Sequence, residues 1–274
     1  MFDLNNFVID RVVRGIAVAQ GDNKDLGIAA GDVLFSINQI TNPSLNCASE
    51  STDAVDALGT PIATFYRSKS AEFSAENALF DMSLMSAQVG GTKAVAGEGN
   101  TIIVPCFQTI DVEAGKTEYA LSHEPKGDVK VYVLNGDGTL GEKVVISTSA
   151  SGREIVVADK AVTIALGEGA YAAGQQLFFM YDYVADGAEG NGAVAVVNSA
   201  TKFPVGCKFI MEILGADVCD QTNLIYAYLV FPNAKLSPDF DWSISTDSTH
   251  PFSMRAMQEY CDKEKKLFEI VIPE

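Results

Sequence analysis

Along most of this chain apolar and polar positions alternate in short runs, the pattern of β-strands with one buried face. In DVKVYVLN, Val129, Val131 and Val133 interleave with Lys130 and Tyr132. TIIVPCFQTI, GEKVVISTS, REIVVA, AVTIAL, QQLFFMYDYV and GAVAVVN are further strand-length runs rich in β-branched and aromatic residues. CKFIMEILGA and NLIYAYLVFP follow, and KLFEIVIP closes the chain as a strand whose proline suits only an edge or a last position. Nearer the start, 7–13, 14–19 and 33–40 read as three short strands separated by the turn-forming QGDNKDLG and AAGD. The first of them alternates only in part, as an edge strand or extended arm does.

Residues 73–91, FSAENALFDMSLMSAQVGG, break the pattern with apolar residues at helical intervals. The spacing predicts a helix that Ser74 caps, Glu76 suits electrostatically, and Gly90 and Gly91 stop. On a helical wheel Ala75, Ala78, Leu79, Met82, Met85 and Val89 form one apolar stripe, while Phe80, Leu84 and Ala87 form another nearly opposite. Two stripes need two partners. Either the helix is sunk in its own domain, or Phe80, Leu84 and Ala87 meet a neighbouring subunit. A short second helix is read in MRAMQEYCDKEK.

Residues 41–72 carry turn residues at both ends and little sustained periodicity, which predicts a long loop. Leu45, Val55, Leu58, Ile62, Phe65 and Tyr66 add apolar surface to it. If the protomer's own core does not bury them, a partner does.

Composition narrows the picture. A chain of 274 residues, 47% of them hydrophobic, fills its own core without a metal or disulfide staple. The five cysteines are scattered and lack zinc spacing, so they are read as free buried thiols. There is no basic, apolar leader and no apolar run long enough for a membrane span, so cytoplasmic synthesis without membrane anchoring is expected. The net charge of −17 and the lack of interleaved basic and aromatic residues argue against a nucleic-acid groove.

The motifs that look chemical lack the right context. Gly136, Gly138 and Gly141 satisfy GxGxxG but lead into another strand, which favours a hairpin turn over a dinucleotide site. Val133 and Val144 stand where a calcium loop needs carboxylates. His123 and His250 are read as exposed loop residues. The pairs Asp53 with Asp56 and Asp182 with Asp186 have no evident pocket. No catalytic, cofactor or metal residue is assigned.

The order of strand, long loop, TFYRSKSAEFSAENALFDMSLMSAQVGG and a β-rich body ending in LVFPNAKLSPDFDWSIS resembles the tail tube proteins of tailed bacteriophages. The phrases AEFSAENALFDMSL and FPNAKLSPDF carry the likeness, which covers most of the chain. The resemblance implies a mainly β fold, a sandwich or barrel with a flanking helix, forming one domain over 1–274 with a β-rich elaboration at about 111–188. It implies a virion structural protein that assembles into stacked six-membered rings enclosing a channel for DNA. Its partners would be further copies and other tail proteins, such as baseplate, terminator or sheath. The 41–72 segment would reach the next ring, and the helix would pack near a subunit boundary. An acidic channel would let DNA slide without sticking. Other virion roles (tail completion, neck, head decoration) and a carbohydrate-binding β-sandwich using Trp242, Tyr181, Tyr183 and Asp182 or Asp186 are the alternatives.

Overall fold

The computed structural model describes residues 6–259 and 263–273. In chain order the elements are β1 (Phe7–Ala19), β2 (Val33–Ile37), β3 (Ile40–Val55), β4 (Pro61–Asn77), α1 (Met82–Val89), β5 (Lys93–Val95), β6 (Ile102–Asp111), β7 (Glu118–Ala120) and β8 (Lys130–Leu134). They continue as β9 (Leu140–Lys143), β10 (Ile155–Ala158), β11 (Ala161–Ile164), β12 (Gln176–Ala185), β13 (Val194–Val196), β14 (Gly206–Asp217), β15 (Asp220–Leu236), β16 (His250–Ala256) and β17 (Glu269–Val271). The protein is mainly β, built of antiparallel sheets of which, among the described residues, none closes into a barrel. The chain forms two compact units, one from the segments up to Lys93 and from Val196 onward, the other from Ala94–Ala195.

The first unit is organised by a sheet ordered β2-β1-β14-β15-β16-β4-β3, with β17 added on β15. One face carries Phe35, Phe73, Phe209, Phe231 and Phe252, all essentially inaccessible to solvent. Phe35 on β2 and Phe252 on β16 have ring centroids 6.3 Å apart. Four strand spacings in a flat sheet would separate them by roughly 19 Å, so the sheet curls around its phenylalanines. Gly15 of β1 makes the curl possible, because a Cβ there would lie 2.8 Å from Ile40 Cδ1 and 3.0 Å from Phe209 Cζ.

The second unit packs the four-stranded sheet β6-β12-β8-β9 on the three-stranded sheet β10-β11-β7. Leu177, Phe179 and Tyr181 of β12 and Val131 of β8 meet Ile155, Val162 and Ile164 across the interior. GxGxxG lies in the β8–β9 hairpin, where Asn135 N–H donates to Thr139 O at 2.9 Å and Gly138 takes the positive φ of 81°.

Several expectations are corrected. Residues 41–72 are not a loop but most of the β3–β4 hairpin, paired from Ile40↔Asn77 to Val55↔Pro61. The segment at 73–77 is strand, since Phe73, Ala75 and Asn77 alternate buried with more exposed neighbours and pair with β16. The helix is therefore shorter, and Asp81 rather than Ser74 caps it, its extended backbone letting Oδ1 accept from Leu84 N–H at 2.7 Å. Gly90 ends the helix in the left-handed region, as the sequence predicts. The runs at 7–13 and 14–19 are one strand, whose first half pairs only with β14 and so lies at an edge. Of the second helix, Met254 and Ala256 belong to β16, and 260–262 lie outside the described residues. Cys47 and Cys219 are exposed thiols, and only Cys207 is fully buried, burial pushing it up to about 12; Cys261 lies outside the described residues.

Candidate assembly surface

The β3–β4 hairpin begins inside the sheet and ends outside it. At its base Asn42, with φ of 50°, accompanies a register shift between Thr41 and Ser44. Residues 72–77 of β4 lie between β3 and β16. From Ala48↔Ser70 to Val55↔Pro61 the two strands pair with each other, and every residue but the half-buried Ser70 is exposed. This free part is roughly 25–30 Å long at the usual strand rise. Its tip is locked by Asp56, whose Oδ1 accepts from Leu58 N–H at 2.8 Å and Thr60 N–H at 2.9 Å, while Gly59 supplies a φ of 85°.

Toward its tip and along β4 the arm exposes large apolar side chains. Leu58 is 91% exposed, Tyr66 72%, Ile62 70%, Phe65 56% and Val55 54%. Phe65 and Tyr66 are consecutive on β4, so their rings leave opposite faces. Leu45, nearer the base, is half-buried against the phenylalanine core.

Around the helix the three singled-out residues part company. Leu84 is wholly buried in the protomer's own core, so it belongs to the interior and not to an exposed stripe. Ala87 is half-buried and lines a groove of about 440 Å³ with Ile28, Val33 and Val205. Phe80 precedes the helix, remains 42% exposed, and stacks on Trp242 at 4.5 Å and on His250 at 5.2 Å.

His250 is the residue that sequence reasoning misplaced. It is fully buried, not exposed. Its Nδ1 accepts from Asp81 N–H at 3.3 Å, its Nε2 lies 2.7 Å from Gln88 Oε1, and Gln88 Nε2 donates to Pro251 O at 2.9 Å. The chain of bonds fixes the neutral tautomer with the proton on Nε2. Burial holds the imidazole below its ordinary pKa, against an opposing pull from Asp81. The signal was present in the sequence: His250, Phe252, Met254 and Ala256 alternate on the inner face of β16.

In the second unit His123 is half-buried, its ring 3.8 Å from that of Tyr183 at an interplanar angle of 7°. The stack lines a cavity of about 620 Å³ together with Lys126, Lys160, Asp186 and Asn191. Tyr181 is buried, accepts from His123 N–H at 3.3 Å, and is pushed up to about 12 by desolvation. On the outer face of the four-stranded sheet Phe107 and Phe178 stack at 6.0 Å.

Asp53 lies on the arm and Asp56 locks its tip. Among the described residues no three His, Cys, Asp or Glu side chains gather as a metal would require, and no helix is long and apolar enough to cross a membrane. A family model described as the YomU/Tube protein family matches residues 28–270. No curated protein matches the chain.

Proposed function

Because the chain belongs to the YomU/Tube protein family and is a phage tube-like structural protein, we propose that it is the protomer of a tail tube, assembling into stacked rings around a channel for DNA. The observation that carries this reading beyond the family is the free apolar arm. A two-stranded ribbon is marginal in water, and one that presents Leu58, Ile62, Phe65 and Tyr66 to solvent is explained by a second copy that covers it. On this reading the arm reaches the adjacent ring, Leu45 anchors its base, and Phe80 and Ala87 lie near the boundary with a neighbouring subunit.

The acidic balance of the chain fits a conduit. A net charge of −17 repels phosphate from any wall that shares it, so DNA passes without the counterion-release binding a basic surface would give. Other tail proteins would close the two ends of the stack. The chain acts by shape and contact, with no chemical step.

Negative-stain microscopy of the concentrated, purified protein tests this. A tube protomer gives hollow stacks of variable length. A completion or neck protein stops at a single ring, and persistent monomers refute self-assembly.

A further inference from the structure

The cavity beside the His123–Tyr183 stack is not used by the tube reading and lies wholly within the second unit. Its walls combine three features. The first is the aromatic pair itself, its rings 7° from parallel, both residues half-buried and both lining the cavity. The second is Asp186, whose Oδ1 is held by Ala188 N–H at 3.0 Å and Asn191 Nδ2 at 2.8 Å, leaving Oδ2 outside both bonds. Those bonds, the backbone one foremost, hold the carboxyl below its ordinary pKa, so it is a fixed acceptor. The third is a pair of ammonium donors on the same rim, Lys126 and Lys160, the latter also reaching Ser122 O at 3.4 Å. Asn191 Oδ1, buried in this wall, has no hydrogen-bond partner, and its Nδ2 is tied to Val184 O at 3.0 Å.

This chemistry excludes the common alternatives. A phosphate or nucleotide would meet Glu124, Asp186 and Glu189 across from only two lysines. A metal would need a cluster of ligands that the described residues lack. An aliphatic ligand would find a lining dominated by charged and amide groups. A molecule with one C–H face and several hydroxyls fits: the face lies on an aromatic ring, and the hydroxyls donate to carboxylate and accept from ammonium groups.

We propose that this cavity binds a neutral pyranose, its ring stacked on the His123–Tyr183 pair and its hydroxyls held by Asp186 and the two lysines. Of the aromatic residues that the sequence offers for sugar stacking, Tyr181 is buried and Trp242 lies against Phe80 in the first unit, so Tyr183 carries the role. The site is independent of the tube reading and stands or falls separately from it.

Saturation-transfer NMR on the full chain, with methyl glucoside, methyl mannoside, methyl galactoside and N-acetylglucosamine as probes, tests the proposal. At least one sugar receives saturation, chiefly at ring C–H protons, with a dissociation constant on the order of 1 mM. Asp186→Asn weakens binding about tenfold, Tyr183→Leu abolishes it, and Asp137→Asn in the β8–β9 turn leaves it unchanged. Far-UV circular dichroism checks each fold, and if Tyr183→Leu unfolds, Asp186→Asn alone decides. Absence of transfer to every probe, equal binding by the folded Asp186→Asn variant, or tighter binding of glucuronate than of methyl glucoside overturns the proposal.

Discussion

Replacing Phe65 and Tyr66 together by threonine separates assembly from folding. Threonine keeps strand propensity, so the ribbon is retained while its two rings are lost. In the monomer Phe65 is 56% and Tyr66 72% exposed, so most of their apolar surface contributes nothing to the protomer's own stability. Full burial of such a side chain is worth about 1.5–3 kcal/mol, which puts the share still to be gained in assembly at about 1 kcal/mol for each ring. The double variant therefore loses about 2 kcal/mol per arm. For the six-membered ring that the tail tube resemblance implies, this would become about 12 kcal/mol for each ring-to-ring junction, whereas a tenfold rise in concentration recovers only about 1.4 kcal/mol. Sedimentation velocity should show that the variant fails to stack at concentrations where the parent forms long particles. In urea titration the folded monomer should lose no more than about 1–2 kcal/mol, the part of the two rings it already covers. Stacking at an unchanged threshold, or a monomer destabilised by more than about 3 kcal/mol, would refute the argument, the first by sparing assembly and the second by making the rings part of the fold.

Other expectations follow from the helix and its surroundings. Leu84→Asp should unfold the monomer, since it costs more than the roughly 2–5 kcal/mol of a buried Leu→Ala change; a folded, assembly-deficient monomer would return Leu84 to a subunit boundary. Phe80→Ser should leave a folded monomer, about 1 kcal/mol less stable through loss of its stack on Trp242 and His250, and denaturant midpoints measure it. Gly90→Ala combines a φ of 65° with a Cβ that would clash with the Phe203 backbone, so a loss of at least about 2 kcal/mol is expected in urea titration. His250 has a depressed folded pKa, so the unfolded chain takes up its proton first as pH falls. Its contribution is intact above the unfolded value of about 6.5 and is lost from there down to the folded pKa. Urea midpoints between about pH 7.5 and pH 5 should show that slope, and His250→Gln should flatten it.

The residues that sequence reading placed well are those with one wet and one dry face. Val131, Leu177, Phe179, Phe209 and Phe231 fall on alternating runs, and their strands carry the two cores. The arm was misread for the opposite reason. From Ala48 to Val55 both faces are wet, so TNPSLNCASESTDAV shows no apolar period although its backbone is fully paired. Residues 73–77 failed differently: Ala75 continues the helical stripe of Ala78, Leu79 and Met82, yet alternates with Phe73 and Asn77 as a strand does, and the pairing with β3 and β16 decides. Asp81 was legible as a cap, because an acidic residue precedes a run of good helix formers. The bond from Gln88 to His250 joins residues 162 positions apart, and no local pattern encodes that partner.

The β3–β4 arm also has a temporal meaning. Beyond Ser70 its strands lean on nothing but one another, while the Asp56 turn keeps the tip in shape. Such a ribbon opens from its free flanks within microseconds and closes again as readily, so its amides exchange with solvent far faster than those of β14 or β15 at the centre of the sheet. Covering the ribbon stops that breathing without any change of fold. In the proposed tube each subunit would carry a segment whose exchange rate registers whether a neighbour has arrived, and the gradient from base to tip would record how far the docking has proceeded.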